Sequence, residues 1–436
     1  MNRLRAAALL LTSALIVPAH AQIRLAARMP GAGFGMGPGG GLGMGSGFGL
    51  GIDHAGQEFG ARATGRPDEF GRDSLRRLTG RRESAIRRLL REHGDLIEAD
   101  PAGDPVVRNE ILAAFPMGDA SSRAVALGFK VIRDHAMAEL GLHIVALAVP
   151  AHWSLRESLR TLRHAVPEGT YDYDQIYFAS GVQAGARSAP TGAGAGPRSA
   201  RPLPKIGLID TGVDTSDPQF RNSTVHTWGC GGAARAGAHG TAVASLLVRR
   251  APADLYAANV YCGAPTGGSA DALIAAFSWL ARHRVPVINV SLVGPQNLLL
   301  AQVIAALIAK GTVIVAAVGN DGPAAPPLYP AAYPQVVGVT AVDDHRRVLF
   351  EAERGPQVTF AALGAGVTVA TVGGGTSVAR GTSFAAPTVA AMFAALLGVP
   401  NPNAAAAARD ALIGRAVDLG AHGWDPIYGY GLLGAR

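Results

Sequence analysis

The chain has 436 residues, of which 48% are hydrophobic and only 16% are charged. This composition excludes a wholly disordered chain and leaves room for more than one folded domain with a sizeable core. The net charge of +7 lies mostly upstream, because Lys and Arg number 15 and Asp and Glu 13 from Lys205 to the end. A nucleic-acid partner therefore has little support, since neutralising phosphates requires concentrated positive charge.

The first 21 residues have the pattern of a signal peptide. Arg3 and Arg5 precede an apolar run from Ala6 to Val17, and Ala19-His20-Ala21 supplies small residues for cleavage. The run is shorter than the roughly 20 residues of a membrane span, and a buried N-terminal helix is the alternative. We therefore predict an exported protein, periplasmic or extracellular, without a transmembrane segment.

The upstream half is predicted to contain a tether, a small domain and a linker. Residues 22–71 form the flexible tether, because glycine-rich stretches are costly to order. Residues 72–180 are expected to form a small domain of helices and strands. Residues 181–204 form a linker rich in Gly, Ala, Ser and Pro, the expected place of proteolytic cutting. Within 72–180, helices are predicted at Arg72–His93 and Ser154–His164, and strands at Ile111–Phe115, Leu142–Val149 and Tyr171–Phe178.

Residues 205–436 alternate between predicted strands and helices. The strands are almost continuously apolar, which is typical of a parallel sheet buried on both faces. The apolar stretch Leu298–Val318 is divided by Lys310-Gly311, so it predicts a buried helix and strand and not a membrane span. Strands are predicted at Lys205–Ile209, Asp254–Tyr261, Val285–Val290 and Thr312–Val318, and helices at His239–Val248, Ser269–Arg284, Gln296–Ala309, Ser383–Leu397 and Ala404–Arg415.

The chain has two cysteines, Cys230 and Cys262. An exported protein meets oxidising conditions, so a disulfide between them is predicted, with two unpaired thiols as the alternative. No metal-ligand spacing surrounds either cysteine, and no metal site is predicted.

Three short segments carry side chains suited to catalysis. Asp210 ends an apolar strand, where sites assemble in parallel sheets, although alone it would be taken for a solvated turn residue. His239 opens a helix after the small residues Ala236-Gly237-Ala238, and is either a base or a capping residue. Ser383 begins an apolar helix whose amide dipoles favour negative charge, or it is a plain N-cap.

The order of these segments, Asp then His then Ser, is that of subtilisin. A fourth segment places the amide of Asn320 at the end of a strand. On these four motifs, residues 205–436 resemble the catalytic domain of the subtilisin family of serine proteases, the S8 subtilases. The resemblance implies an α/β, three-layer fold with a mostly parallel central sheet, and a serine endopeptidase that needs no cofactor for its chemistry.

The resemblance also implies a role for each motif. Ser383 attacks the peptide carbonyl, His239 transfers the proton, and Asp210 orients the imidazole. The side-chain amide of Asn320 and the N–H of Ser383 bind the oxyanion.

Two further segments resemble substrate-binding elements of the family. Ser291-Leu292-Val293-Gly294 resembles the segment that pairs with the substrate backbone. Leu328 lies in a segment that resembles the floor of the specificity pocket. Family members often carry Gly at the positions of Val293 and Leu328. The two bulky residues therefore predict a shallow pocket that prefers small side chains such as Ala on the acyl side of the cut, unless both rotate away.

Residues 106–180 resemble, more weakly, the α+β, ferredoxin-like inhibitory propeptide of the same family. The order strand, helix, strand, strand, helix, strand carries this resemblance. It implies a zymogen whose own N-terminal segment inhibits the protease, and which processes itself within residues 178–204. A permanent docking domain is the alternative.

Two other functions are alternatives to a protease that acts on peptides and proteins. A catalytically silent, peptide-binding family member is one, although all four catalytic residue types are present. A small-ligand module is the other, but no Gly-rich phosphate fingerprint follows the first strand. The short stretch Val248–Asp254 leaves out a calcium-binding loop often found there in the family, so calcium dependence is unsupported.

Overall fold

The computed structural model describes residues 67–115, 120–180, 182–183 and 202–435, with side chains from residue 80 onward except at 120 and 182–183. The predicted signal peptide, residues 22–66 of the predicted tether and most of the predicted linker lie outside these residues. Residues 67–71, predicted as the end of the tether, instead belong to the first helix. None of the helices in the described part of the chain is both long enough and apolar enough to cross a membrane.

The region from residue 67 to residue 180 begins with a long helix and continues as a compact sheet with two helices. From residue 105 onward the order is strand, helix, strand, strand, helix, strand, the order on which the propeptide resemblance was based. The elements are α1 (Pro67–Glu92), β1 (Ile97–Ala99), β2 (Pro105–Ala114), α2 (Ala120–Ala126), β3 (Lys130–Met137), β4 (Leu142–Ala148), α3 (Leu155–Ala165) and β5 (Thr170–Ala179).

This N-terminal sheet is antiparallel, with strand order β5-β2-β4-β3. Side chains alternate between the faces of a strand, so Ile111 and Ala113 of β2 pack into one core together with α3. Leu112, between them, points the other way into a second core that contains Phe277 and Ile304 of the C-terminal region. The N-terminal sheet therefore lies between its own helices and the rest of the protein. Helix α3 is capped by Ser154, whose side chain accepts a hydrogen bond from the N–H of Glu157 (3.2 Å).

The C-terminal region is organised around one parallel sheet of seven strands, in the order β15-β14-β13-β11-β7-β9-β8. Its elements are β6 (Val182–Gln183), β7 (Lys205–Asp210), β8 (Thr224–Trp228), α4 (Ala238–Leu247), β9 (Asp254–Asn259), β10 (Gly268–Ser269), α5 (Ala270–Arg282), β11 (Val287–Val290), β12 (Leu292–Val293), α6 (Leu298–Ala309), β13 (Val313–Ala317), β14 (Val337–Val342), β15 (Val358–Leu363), β16 (Ala365–Ala370), β17 (Thr376–Arg380), α7 (Thr382–Ala394) and α8 (Pro402–Ile413).

Both faces of the parallel sheet are covered, as the apolar strands predict. Helices α4 and α7 pack on one face through residues such as Val243 and Phe384. Helices α5 and α6 pack on the other face through Phe277 and Ile304. The three-layer arrangement of the sequence-based expectation is thereby confirmed.

Strand β8 and the strands after β13 were not predicted from the sequence. Strand β8 lies at an edge of the sheet and is mostly exposed, so its residues Thr224–Trp228 show no continuous apolar run. Strands β16 and β17 form an antiparallel hairpin outside the main sheet.

The order of strands creates a crevice at one edge of the sheet. From β7 the chain adds strands on one side through β9 and β8, and later adds β11, β13, β14 and β15 on the other side. Ligand sites in open parallel sheets form at the carboxyl ends of strands where the order reverses in this way. Asp210 closes β7, Ser291 follows β11, and Asn320 follows β13, so three of the predicted site residues lie at this edge.

Candidate active site

Asp210 and His239 are hydrogen-bonded to each other. Asp210 is fully buried at the end of β7, and its Oδ1 accepts a hydrogen bond from the N–H of Thr211 (2.7 Å). The Nδ1 of His239 lies 2.8 Å from Oδ1 and 3.0 Å from Oδ2 of Asp210. A Cβ at Gly240 would lie 2.2 Å from the carbonyl oxygen of Thr211, so only glycine lets α4 approach the strand end this closely.

The environment of His239 favours its protonated form. Burial lowers the pKa of the imidazole, but the charge of Asp210 and its hydrogen bond, together with the backbone of Ser180, raise that pKa overall above its ordinary value. The Nε2 atom is buried and makes no regular hydrogen bond to any described residue. The ring packs against Phe384, with 5.4 Å between the centroids. A buried imidazole with one nitrogen held by a carboxylate is suited to proton transfer through its other nitrogen.

Ser383 lies in the first turn of α7, beside the same crevice. Its Oγ donates a hydrogen bond to the carbonyl oxygen of Ser291 (3.1 Å), and the Oγ of Ser291 donates to the carbonyl oxygen of Ser383 (3.1 Å). The expected hydrogen bond from Ser383 to His239 is therefore not formed in this structure. Nucleophile and base often come into register only when substrate is bound.

Asn320 is held with its amide group facing the crevice. Its Oδ1 accepts a hydrogen bond from the N–H of Thr382 (3.1 Å) at the start of α7. Its Nδ2 donates to the Oγ of Ser180. The N–H of the preceding residue, Gly319, donates to the Oγ1 of Thr382 (3.3 Å). These bonds fix the orientation of the amide, so that Nδ2 is the atom presented to whatever occupies the crevice.

In this structure the crevice is occupied by a segment of the chain itself. The end of β5 runs antiparallel between β10 and β12, with Tyr177 opposite Gly268 and Phe178 opposite Val293. The N–H of Ser180 then donates to the carbonyl oxygen of Ser291 (3.3 Å). On the far side of Ser180, β6 pairs antiparallel with β17, with Val182 opposite Arg380. The extended chain is thus paired with the protein on both sides of Ser180.

The predicted substrate-binding residues lie along this strand. Leu292 and Val293 form β12, and Ser291 and Gly294 flank it. Gly294 exchanges two backbone hydrogen bonds with Tyr329 (2.9 and 3.0 Å), which places the neighbouring Leu328 beside the same segment. Val293 and Leu328 are both buried. Sequence reasoning missed the second partner strand, β10, and the pairing edge of β17; the Gly267-Gly268-Ser269 run before helix α5 was the available signal for β10.

Cys230 and Cys262 are joined by a disulfide, with their Cα atoms 5.0 Å apart. The bond links the turn after β8 to the loop after β9, close to the end of the strand that neighbours β7. Among the described residues, no group of three or more His, Cys, Asp or Glu side chains is arranged to hold a metal ion.

The fold is similar to a solved structure. Fervidolysin from Fervidobacterium pennivorans, a keratinolytic enzyme related to subtilisin, superposes with a TM-score of 0.62 at 18% sequence identity, covering 77% of this chain and 61% of fervidolysin. At this identity the likeness is one of fold.

Several curated proteins are similar in sequence. Subtilisin DY from Bacillus licheniformis is 29% identical over 252 residues, which are 52% of this chain and 88% of subtilisin DY. Subtilisin Savinase from Lederbergia lenta is 30% identical over 245 residues, 53% of this chain and 89% of Savinase. The minor extracellular protease Epr from Bacillus subtilis (strain 168) is 31% identical over 208 residues, 45% of this chain but only 32% of Epr, so the match spans about a third of that relative.

Residues 203–431 match the model of the subtilase family. The match covers more than half of the 436 residues and contains Asp210, His239, Asn320 and Ser383. The chain therefore belongs to the subtilase family of subtilisin-like serine endopeptidases.

Proposed function

We propose that the protein hydrolyses peptide bonds within polypeptide chains, with Asp210, His239 and Ser383 as its catalytic triad. In the proposed reaction Ser383 Oγ attacks the carbonyl carbon while His239 Nε2 takes its proton. His239 then protonates the leaving amine, and Asp210 keeps the imidazole in the required tautomer and stabilises its positive charge. The Nδ2 of Asn320 and the N–H of Ser383 stabilise the oxyanion. The 2.8 Å contact between Asp210 and His239 supports this assignment.

One observation carries the choice of an endopeptidase. The extended chain pairs with β10 and β12 before Ser180 and with β17 after it. Main-chain pairing binds a polypeptide with little regard to its side chains. A crevice with pairing edges on both sides of the reacting bond suits cleavage in the middle of a chain, because a terminal residue would leave one edge unused.

We further propose that the protein is a zymogen that cuts itself between Ser180 and Gly181. Ser180 is the residue at the oxyanion amide, since its Oγ accepts from Asn320 Nδ2 and its N–H donates to Ser291. The residue that supplies the attacked carbonyl should lie there. This position falls within the 178–204 interval expected from the sequence.

The N-terminal region is proposed to inhibit the enzyme until it is removed. Its strand β5 fills the crevice, and helix α1 covers the outer side of that strand through Ile86 and Leu89, which pack with Phe178. Arg82 of α1 extends over the Phe178 ring (5.7 Å) and pairs with Asp321, the neighbour of Asn320 (3.4 Å). A substrate could not enter without displacing these contacts.

The specificity proposed is for small side chains on the acyl side of the cut. Val293 of β12 and the neighbouring Leu328 are buried. Ser180, the residue that precedes the proposed cut, is itself small. Cleavage of a peptide library that varies this position tests the idea, and a strong preference for Phe or Leu would refute it. We also propose export to the periplasm or the medium, which the predicted signal peptide and the name of the extracellular relative Epr support.

A catalytically silent peptide-binding protein is the second candidate. It is favoured by one observation, the hydrogen bond from Ser383 Oγ to Ser291 in place of His239. A fluorophosphonate probe decides, because it labels only an activated serine.

The deciding experiment compares the full chain with its Ser383→Ala variant, each purified under identical conditions. We expect the unaltered chain to be cut after Ser180 and to react with the fluorophosphonate, and the variant to stay intact and unlabelled. Ser122→Ala, at an exposed position of α2, is the control and should behave like the unaltered chain. Normal processing of Ser383→Ala in the purified state would exclude self-cleavage.

A further inference from the structure

A tyrosine that the proposed mechanism does not use bonds to the segment of chain in the crevice. The hydroxyl of Tyr261 accepts a hydrogen bond from the N–H of Ala179 (2.6 Å) and donates one to the carbonyl oxygen of Tyr177 (3.3 Å). Tyr261 lies in the loop after β9, and so belongs to neither β10 nor β12, the strands that pair with this segment. One side chain therefore joins two backbone groups of the segment.

The direction of the backbone groups explains why a side chain is needed here. Successive residues of a strand point their N–H and C=O groups to opposite sides. The N–H of Ser180 donates to Ser291 on the β12 side, so the N–H of Ala179 points to the β10 side. Strand β10 has only two residues, and its pairing stops at Tyr177. The N–H of Ala179 thus lies beyond the end of β10, where the hydroxyl of Tyr261 supplies its acceptor.

The backbone of Tyr261 is held by the same edge of the sheet that carries the triad. Its N–H and that of Cys262 both donate to the Oδ1 of Asn259, the last residue of β9 (3.1 and 2.9 Å). Cys262 is joined by the disulfide to Cys230, and Asn259 lies opposite Asp210 in the parallel sheet. All of these partners belong to the C-terminal region, so they do not depend on the N-terminal segment.

The hydroxyl of Tyr261 is suited to serve two backbone groups at once. Burial and, to a smaller extent, the charge of Asp210 raise the pKa of Tyr261 above its ordinary value, although the N–H of Ala179 lowers it. The hydroxyl therefore stays protonated at neutral pH. A neutral hydroxyl both donates and accepts, so it can bind an N–H and a carbonyl oxygen together.

We propose that Tyr261 is a substrate-binding residue that recognises the main chain of a polypeptide substrate, at the N–H of the second residue before the cut and the C=O of the fourth. This inference rests on the proposed function, in which the segment ending at Ser180 lies where a substrate lies. The group recognised is a peptide N–H. The enzyme should therefore discriminate against substrates whose second residue before the cut lacks one, such as proline.

The test is a cycle of enzyme variants and two peptides, measured as kcat/KM of the processed enzyme. The first peptide has the sequence of residues 176–183 with both ends capped. The second is identical except that an ester oxygen replaces the N–H of its alanine, which removes the donor and adds no bulk. Tyr261→Phe removes the hydroxyl and keeps the ring. Tyr256→Phe, in β9, is the matched control, since the ring of Tyr256 stacks on His226 of β8 (4.4 Å between the centroids).

We expect the unaltered enzyme and Tyr256→Phe to cut the ester peptide about tenfold less efficiently than the amide peptide, because leaving one buried group of a hydrogen bond unpaired costs roughly 5–150-fold. Tyr261→Phe should cut the amide peptide about tenfold less efficiently than the unaltered enzyme does, because the N–H then lacks its acceptor. In Tyr261→Phe the two peptides should differ by less than about threefold. Mass spectrometry of the products shows that each cut follows the serine.

A ratio between the two peptides that is the same in Tyr261→Phe as in the unaltered enzyme would overturn the inference and leave the proposed function intact. If Tyr261→Phe yields no processed enzyme, the unaltered enzyme decides alone: a tenfold loss on the ester peptide supports the inference, and equal kcat/KM on both peptides overturns it. Failure of the unaltered enzyme to cut the amide peptide or to react with fluorophosphonate would instead refute the proposed function.

Discussion

The two sheets of the protein bury their residues in different ways. The parallel sheet of the C-terminal region is covered by helices on both faces, and its strands β11, β13 and β14 are buried along their whole length. The antiparallel N-terminal sheet has a small core of its own on one face and uses the other to cover α5 and α6. The parallel sheet positions the residues of the candidate site, and strand β5 of the antiparallel sheet occupies the crevice beside them.

Where the N-terminal region meets the first residues of α5 and α6, its contacts are hydrogen bonds between helix N–H groups and carboxyl oxygens. The carboxyl of Asp174 accepts from the N–H of Asp271 at the start of α5 (2.8 Å), and that of Asp172 accepts from the N–H of Leu298 at the start of α6 (2.8 Å). Carboxylates are stabilising at helix N-termini because of the exposed amides and the helix dipole. The two regions therefore meet through carboxyl groups at the helix ends as well as through the apolar residues of the core that they share.

The largest effect is expected from a substitution in the catalytic site that leaves the contacts of the N-terminal region unchanged. Asp210→Asn should lower kcat by about 10⁴-fold, because an amide stabilises neither the imidazolium nor the required tautomer. The rate of self-cleavage of the purified full chain measures this. Asp343→Asn, in an exposed loop that pairs with Arg347, is the control and should keep full activity. A loss below tenfold in Asp210→Asn would remove Asp210 from the triad.

A smaller effect is expected at the oxyanion amide. Asn320→Ala removes the Nδ2 donor, and the loss of one such donor lowers kcat by roughly 10²–10³-fold with little change in KM. Its Oδ1 also accepts from Thr382, so thermal unfolding of the variant is measured beside its kinetics. A rise in KM with unchanged kcat would assign Asn320 to substrate binding alone.

The strength of the contact between the two regions is tested at Arg133. This residue of β3 pairs with Glu110 of its own sheet and, across the interface, with Asp271 (Nε to Oδ2, 2.6 Å). The Oδ1 of Asp271 also lies 2.8 Å from the Nε2 of His135, within hydrogen-bond distance. Arg133→Ala leaves these carboxylates without their shared cation, so the cut N-terminal region should dissociate about tenfold more readily, Arg133 being partly exposed and screened.

Dissociation is followed as the delay between self-cleavage and the appearance of activity on an added peptide. Lys130→Ala, an exposed position on the same strand, is the matched control. Equal delays in Arg133→Ala and Lys130→Ala would show that the ion pairs do not hold the two regions together. The apolar contacts alone would then account for their association.

Sequence patterns predicted the parallel sheet and the placement of Asp210, His239 and Asn320, because each ends a strand or opens a helix and such positions are set by local pattern. They did not predict that Ser383 Oγ donates to the carbonyl oxygen of Ser291, because this hydrogen bond joins residues 92 positions apart in the chain. They also missed the burial of Glu353: an acidic residue in a polar loop is usually exposed, whereas this one accepts a hydrogen bond from the N–H of Leu328 and donates its own N–H to Gly319. The ion pairs of Arg133 were not predicted either, because its partners Glu110 and Asp271 lie in two other elements, β2 and α5.

The smallest expected effect concerns the stability of the C-terminal region. Burial raises the pKa of Glu353 to about 9 in the folded protein, against an ordinary value of 4.5. Between these values the unfolded chain binds fewer protons at this residue than the folded one, so this residue makes the free energy of unfolding fall as the pH rises from about 4.5 to about 9. Gln does not titrate and lacks this dependence.

Glu353→Gln, made in the Ser383→Ala background to prevent self-digestion, should therefore melt at a higher temperature than its parent at neutral pH. We expect at least about 1 kcal/mol, or roughly 2–4 °C, with the gap closing towards pH 5 and widening towards pH 9. Glu351→Gln is the control, since Glu351 pairs with Arg380 at a partly exposed position and should show no such trend. Parallel melting curves for Glu353→Gln and its parent across this range would mean that Glu353 is ionised in the folded protein, and the C-terminal region would then hold a buried anion close to its site.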